Sequence, residues 1–345
     1  MLFKNIISVY GNSLNGKSAP ADDPVWHLGQ SEGLRTFRLY ALDALQNAKL
    51  YLLDHRAVDY TDTFHDTMLE RDEAEAASVI KAFMNEVALP ADVVLVEYDF
   101  GVLSTDRLKR DGADAPLQGA ARGAGERGFL LDNRRSDCLR VAMFRSDRGG
   151  KILDPFGILR FERAPTGEAI LDEYHPEPCN HMLEIMTRRG MGAAKLKNTY
   201  ERHMAESSYD LFIPYALFAM LASPDLGGVI PAGAATFTPK EEKTARKFGK
   251  IWLTAAPRSH ITVRIGPQAE AHMRERTARL EHERLARDTR NGPVRHWVSE
   301  HERHYRSGKI VTIRGHHRGK EPDRQVPTRV MGPRADLADV GGATE

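Results

Sequence analysis

Apolar side chains recur at helical spacing between Ser31 and Asp54, where Phe37, Ala41, Ala44, Leu45, Ala48 and Leu52 would form one buried stripe. That pattern predicts one long helix. A second helix is predicted from Asp72 to Val87, with Ala76, Ile80, Phe83 and Val87 on one face and Pro90 as its stop. VVLVEY, from Val93 to Tyr98, has the length and β-branched density of a buried strand. The opening apolar run LFKNIISVY predicts an N-terminal strand leading into a flexible polar loop. Residues 105–135 lack apolar periodicity and predict a long mobile loop.

From Cys138 onward the pattern shortens to CLRVAMF, KILDPF, GILRFER and EAILDEY, divided by the turn-forming SDRGG and APTGE. This is the signature of an antiparallel meander. Helical spacing returns from His181 to Met191 and from about Lys195 to Leu221. RSHITVRIG alternates Ile261, Val263 and Ile265 with His260, Thr262 and Arg264, a half-exposed strand. Gln268 to Arg290 predicts a charged surface helix with Glu270–Arg274, Glu275–Arg279 and Glu283–Arg287 at i,i+4. VRHWV and KIVTIR flank SEHERHYRSG and predict a hairpin. The expected fold class is α+β, with a helical N-terminal part, a central antiparallel sheet and a basic C-terminal helix and β-hairpin. The expected organisation is an acidic α+β body over 1–238, a basic region over 239–330 and a disordered Pro- and Gly-containing tail over 331–345.

Composition alters this picture in one respect. Across 345 residues the formal net charge is only +1, yet 22 of the Lys and Arg residues against 11 Asp and Glu lie between Lys240 and Arg329. A basic C-terminal region on an acidic body points to a polyanionic partner. Two cysteines, Cys138 and Cys179, offer no disulfide framework, which fits a reducing cytoplasm. No secretory signal or membrane span is expected, because LFIPYALFAMLA from Leu211 to Ala222 is too short to cross a bilayer and reads as a core helix.

Gly11, Gly16, Lys17 and Ser18 match the phosphate-loop pattern G-x-x-x-x-G-K-[ST]. A working loop needs a helix starting near Lys17, so that its first amides converge on the phosphates. Pro24 would fall inside that helix at a cost of about 3 kcal/mol. Asp22 and Asp23 would also bring negative charge to the phosphates. The match is therefore expected to be accidental.

The stretch from Pro293 to Lys320 carries more chemistry. Arg295, Arg303, Arg306, Lys309, Arg314 and Arg318 are interleaved with Trp297 and Tyr305 and with His296, His301, His304, His316 and His317. Cations attract phosphates and flat rings stack on unpaired bases, so this set is the candidate nucleic-acid-binding surface, DNA or RNA undetermined. A solvated basic hairpin is the plainer reading of the same charges. Zinc would require His301 to face His316 or His317, but no standard ligand spacing is present, and neither metal nor cofactor is expected. A metal-independent nuclease would use His301 or His304 with Glu300 or Glu302, and Arg314 or Arg318 to steady the developing charge. SHIT, 259–262, has the form of one H-x-T phosphoesterase motif where that chemistry needs two.

The run TARKFGK…RSHITVRIG, the charged helix, and PVRHWVSEHERHYRSG…VTIRGHHRG together resemble the C-terminal half of an uncharacterised family encoded by phages and prophages. The matching positions are Ala245, Arg246, Lys247, Gly249 and Lys250; then Val294, Arg295, His296, Val298 and His301; then Ile313, His316 or His317, Arg318 and Gly319. The resemblance implies an accessory protein of a mobile element acting in bacterial cytoplasm. Nucleic acid is the expected partner, and an inhibitor of a host defence protein is the further alternative.

Overall fold

Why the helices sit where they do follows from one sheet whose two faces are both apolar. In a computed structural model of the chain, the described residues are 1–14, 32–69, 87–101, 124–147, 149–163, 174–222, 228–290, 296–298, 300–304 and 310–318. The predicted helix over 72–87 except Val87, the loop over 105–123, EAILDEY except Tyr174, and the C-terminal tail fall outside them. Two compact units are formed, Met1–Met273 and Arg274–Glu345.

In the first unit the elements run α1 (Leu2–Leu14), α2 (Glu32–Gln46), β1 (Lys49–Leu53), α3 (His55–Leu69), β2 (Val93–Asp99), β3 (Ala124–Asp132) and β4 (Cys138–Asp147). They continue with β5 (Ile152–Leu153), β6 (Gly157–Glu162), β7 (His175–Pro178), α4 (Asn180–Arg188), α5 (Ala193–Asp210) and α6 (Phe212–Ala222). Last come β8 (Val229–Ala235), α7 (Pro239–Lys247), α8 (Ile251–Thr254), β9 (Ser259–Ile265) and α9 (Pro267–Arg290), whose C-terminal part lies in the second unit. The sheet has nine strands in the order β7-β6-β4-β3-β2-β1-β9-β8, with β5 beside β4.

The class is α+β, as the patterning predicts, but the sheet is mixed. β1 runs parallel to β2 on one side and to β9 on the other, while β2 through β7 and the β8–β9 pair are antiparallel. Period-two alternation sends Val93 and Leu95 to the face covered by α1, α2 and α4, and Val94, Val96 and Tyr98 to the face covered by α3, α5 and α6. Leu211–Ala222, predicted as a core helix, is buried from Leu211 to Phe218, half-buried from Ala219 to Leu221 and exposed at Ala222. Among the described residues no helix is long and apolar enough to cross a membrane.

Four expectations are corrected. The opening run is a helix, because Leu2, Phe3, Ile6, Ile7 and Tyr10 bury one face at helical spacing despite the β-branched residues. The long helix ends at Gln46, and KLYLL becomes β1 in the middle of the sheet; an apolar run of five residues suits either state until its neighbours decide. Residues 124–132, assigned to the mobile loop, form β3 between β2 and β4. β8 was not anticipated, since Pro231 and Gly233 disfavour a strand; it lies at the sheet edge, where such residues are tolerated.

Buried polar groups pin the helices to this sheet. Asp154, on the β5–β6 connection, accepts hydrogen bonds from the Tyr10 hydroxyl and from Arg38, which lies 3.0 Å away; both charged side chains are at most 2% exposed. On the opposite face Arg127 pairs with Asp210, and Arg145 bonds Glu206 at 2.9 Å and His203 Nδ1 at 2.7 Å. Burial, with Arg145 and Arg127 adding to it, holds His203 well below its ordinary pKa, so the ring is neutral.

Glu97 of β2 lies under the N-terminus of α1. The amides of Leu2 and Phe3 donate to its two oxygens at 2.8 Å each, satisfying two of the unpaired donors of a helix start. Burial outweighs those bonds and pushes its carboxyl up from 4.5 to about 7. Between those pH values the folded chain holds a proton that the unfolded chain has lost, so stability falls as pH rises through the window. The steepest expected slope is about 1.4 kcal/mol per pH unit. Urea titrations at about pH 5 and pH 7.5 check this: Glu97→Gln should flatten the slope, and an unchanged slope would assign it elsewhere.

Candidate nucleic-acid interface

In the second unit, β10 (His296–Val298) pairs antiparallel with β13 (His316–Arg318), and β11 (His301–His304) with β12 (Ile310–Ile313). The two pairings keep one register but form two separate two-stranded ladders, with Glu300, Arg314 and Gly315 in neither. The predicted hairpin exists, but its pairing is corrected: HWV, the described part of VRHWV, stands opposite HHR, while HERH, within the predicted connection, stands opposite IVTI. HERH has no apolar alternation, and its pairing keeps the register of β10 with β13.

Most of the candidate residues are thereby gathered on these ladders. His296 stands opposite Arg318, Trp297 opposite His317 and Val298 opposite His316, joining the two ends of the basic stretch. Arg303 and His304 stand opposite Val311 and Ile310. Glu302, Arg303, His304, Ile310, Thr312 and Arg314 are exposed, whereas Val311 and Ile313 are half-buried. Arg295, Arg306 and Lys309 lie outside the described residues.

The same register bears on the alternative chemistries. His301 stands opposite Ile313, away from His316 and His317, so the facing that a zinc site would need is not formed. Among the described residues no group of three His, Cys, Asp or Glu could hold a metal ion. His304 Nε2 lies 3.8 Å from Glu302 Oε2, with the side chains 68% and 62% exposed, so this His–Glu pair sits in open water. His260 of the SHIT stretch is an interior residue of β9, 3.5 Å from Thr236. Gly11 of the phosphate-loop pattern lies inside α1, buried against Trp252, so its backbone is committed to a helix.

No known protein family, curated protein or solved structure matches the chain significantly. The functional reading therefore rests on the residues themselves.

None of the sequence-predicted binding residues lies in α7, although its charges belong to the basic stretch. Thr238 and Glu241 form a capping box at its start: Glu241 N–H donates to Thr238 Oγ1 at 3.2 Å, and Thr238 N–H to Glu241 Oε2 at 2.7 Å. At its end Lys250 N–H reaches Ala245 O at 2.9 Å and Gly249 N–H reaches Arg246 O at 3.3 Å, a Schellman cap that needs the positive φ of Gly249. Ala245 is the buried anchor of the helix, and Lys240, Lys243 and Lys247 point the other way. Their i, i+3, i+7 spacing behind a T-x-x-E box was the available signal.

Proposed function

We propose that the chain is an accessory protein of the mobile-element type that binds nucleic acid through the hairpin of residues 296–318. The observation that carries this reading is the common register of β10–β13 and β11–β12, which draws cationic and imidazole residues from both ends of the stretch together. Arg303, His304 and Arg314 are exposed, so phosphate contact costs little desolvation. A two-stranded ribbon can also enter a major groove, so duplex and single strand are both admissible targets.

The test is fluorescence anisotropy of labelled single-stranded and duplex oligonucleotides over about 50–200 mM salt. Arg303→Ala/Arg314→Ala should lower affinity by about tenfold or more and reduce the slope of log affinity against log salt by about 1–2, as expected for two lost phosphate contacts. An unchanged affinity and slope would remove the hairpin from the interface. Probe cleavage that His304→Ala abolishes would instead make the hairpin a nuclease site.

A further inference from the structure

We infer that α7 and its C-terminal cap form a second polyanion-binding surface, in the first unit, suited to single-stranded nucleic acid. Lys240, Lys243 and Lys247 form an exposed stripe along the helix, continued by Arg246, Lys250 and Arg258 around the cap. Among the described residues, Lys240, Lys243, Lys247, Lys250 and Arg258 make no ion pair. The two acidic residues of the helix are already engaged. Glu241 is held by its capping box and by Lys4 at 3.0 Å, and Glu242 lies 3.9 Å from Arg246.

This is an unfavourable arrangement for a protein alone. Lys243 and Lys247 form a like-charge i,i+4 pair, and Lys240 and Lys243 an i,i+3 pair, each of which destabilises an isolated helix. Basic residues at a helix C-terminus gain from its dipole, but that effect fades within the last turn and leaves Lys240 and Lys243 unexplained. A bound polyanion offsets all of these charges together. The stripe from Lys240 to Lys247 is about 10 Å long, the span of about three phosphates along one strand at duplex rise.

Phe248 makes the surface specific. It occupies the helix C-cap and leaves 56% of its area in water, with Lys247 Nζ 5.6 Å from its ring centroid. The Schellman turn fixes the backbone on both sides of it. An exposed ring beside unpaired cations is the arrangement on which an unstacked base rests while its phosphates meet the lysines. A small, shallow recess lies on the Ala245 side of the helix, with Arg246, Arg258, Thr254 and Glu242 on its walls. A duplex has no free base to lay on Phe248, which sets the preference for single strands.

The experiment uses the full chain and anisotropy with an oligothymidylate of about 20 nucleotides and a duplex of equal length. Lys240→Ala/Lys243→Ala/Lys247→Ala, all at exposed positions, should lower single-strand affinity about tenfold or more and cut the salt slope by about 2. Phe248→Ala should weaken single-strand binding about tenfold while leaving duplex binding within about twofold. Unchanged melting curves would show that both variants remain folded. If the triple variant keeps the wild-type affinity and slope, or if Phe248→Ala weakens both probes equally, this inference is overturned. The hairpin variant Arg303→Ala/Arg314→Ala separates the two surfaces: loss there alone sinks this inference and keeps the hairpin reading, and loss only in the α7 variants does the reverse. A wild-type chain that binds neither probe overturns both.

Discussion

Asp154→Ala is expected to cost the fold about 3–5 kcal/mol, the usual penalty for removing one partner of a buried ion pair. Arg38 is 2% exposed, and the substitution leaves its guanidinium under α1 and α2 without the carboxylate. The Tyr10 hydroxyl loses its acceptor at the same time, and Arg38, whose guanidinium carbon lies 4.8 Å from the Tyr10 ring centroid, loses the charge that orients it. Asp154→Asn keeps an acceptor for Tyr10 and should lose less. Arg38→Leu/Asp154→Leu removes both charges and should recover much of the deficit, because the desolvation cost disappears with them. Urea unfolding of these proteins measures the losses, and the single variants Arg38→Leu and Asp154→Leu complete the cycle that gives the coupling energy. A loss below about 1 kcal/mol for Asp154→Ala would mean that other groups hold the Arg38 guanidinium and that Asp154 is not its main partner.

Nearby groups extend the argument. Burial, with Asp154 adding to it, pushes the Cys179 thiol up to about 12, so this cysteine is a packing residue with little thiolate at neutral pH. His181, whose ring lies tilted against Phe37 with centroids 5.1 Å apart, is held below its ordinary pKa chiefly by burial and stays uncharged. The polar groups beneath α1 and α2 thus centre on the Arg38–Asp154 pair, with the Cys179 thiol and the His181 ring uncharged beside it. The cluster orders helices on the sheet, and its enclosure explains why it offers no binding surface.

What could be read in the sequence depended on how local each signal was. Phe37, Ala41, Ala44 and Leu45 announced α2 by spacing alone, and all four are buried. β2, the β4–β6 meander, α5, α6 and β9 were equally legible, because each carries its own apolar period. β1 was not, since KLYLL becomes a strand only through β2 and β9, which lie far along the chain. β3 was hidden by Gly125, Glu126, Arg127 and Gly128, whose places in the ladder are decided by contacts with β2, β4 and α5. Glu270, predicted to pair with Arg274 along its own helix, bonds Arg56 on α3 at 2.6 Å, a contact that spacing within one helix cannot report. The candidate hairpin was visible as a cluster of charge, whereas its register was not, because the inner strand HERH lacks the alternation that would place it. Sequence periodicity cannot report a pairing that is imposed from the other end of a ladder.

Gly11→Ala carries the second large effect, and its sign is the informative part. In an exposed helix interior this change stabilises by about 1 kcal/mol, since alanine loses less backbone freedom on folding than glycine. Within α1, however, an added Cβ would stand only 2.2 Å from Cγ of Trp252, which is itself 5% exposed. The indole cannot withdraw from a packed core without opening the contact between α1 and α8, so a loss of about 1–3 kcal/mol is expected. Gly11→Ala/Trp252→Ala should fall well short of the sum of the two single losses, because the small side chain at 252 removes the clash. A stabilised Gly11→Ala protein would show that α1 is not seated on Trp252. The same substitution addresses the phosphate-loop pattern from the structural side. In a working loop, glycine at this position turns the chain from strand to helix beneath the phosphates, and its replacement would act through nucleotide affinity. Here it acts through packing, so the loss should be the same with and without added nucleotide. Nucleotide-dependent stabilisation abolished by Gly11→Ala would reinstate the loop.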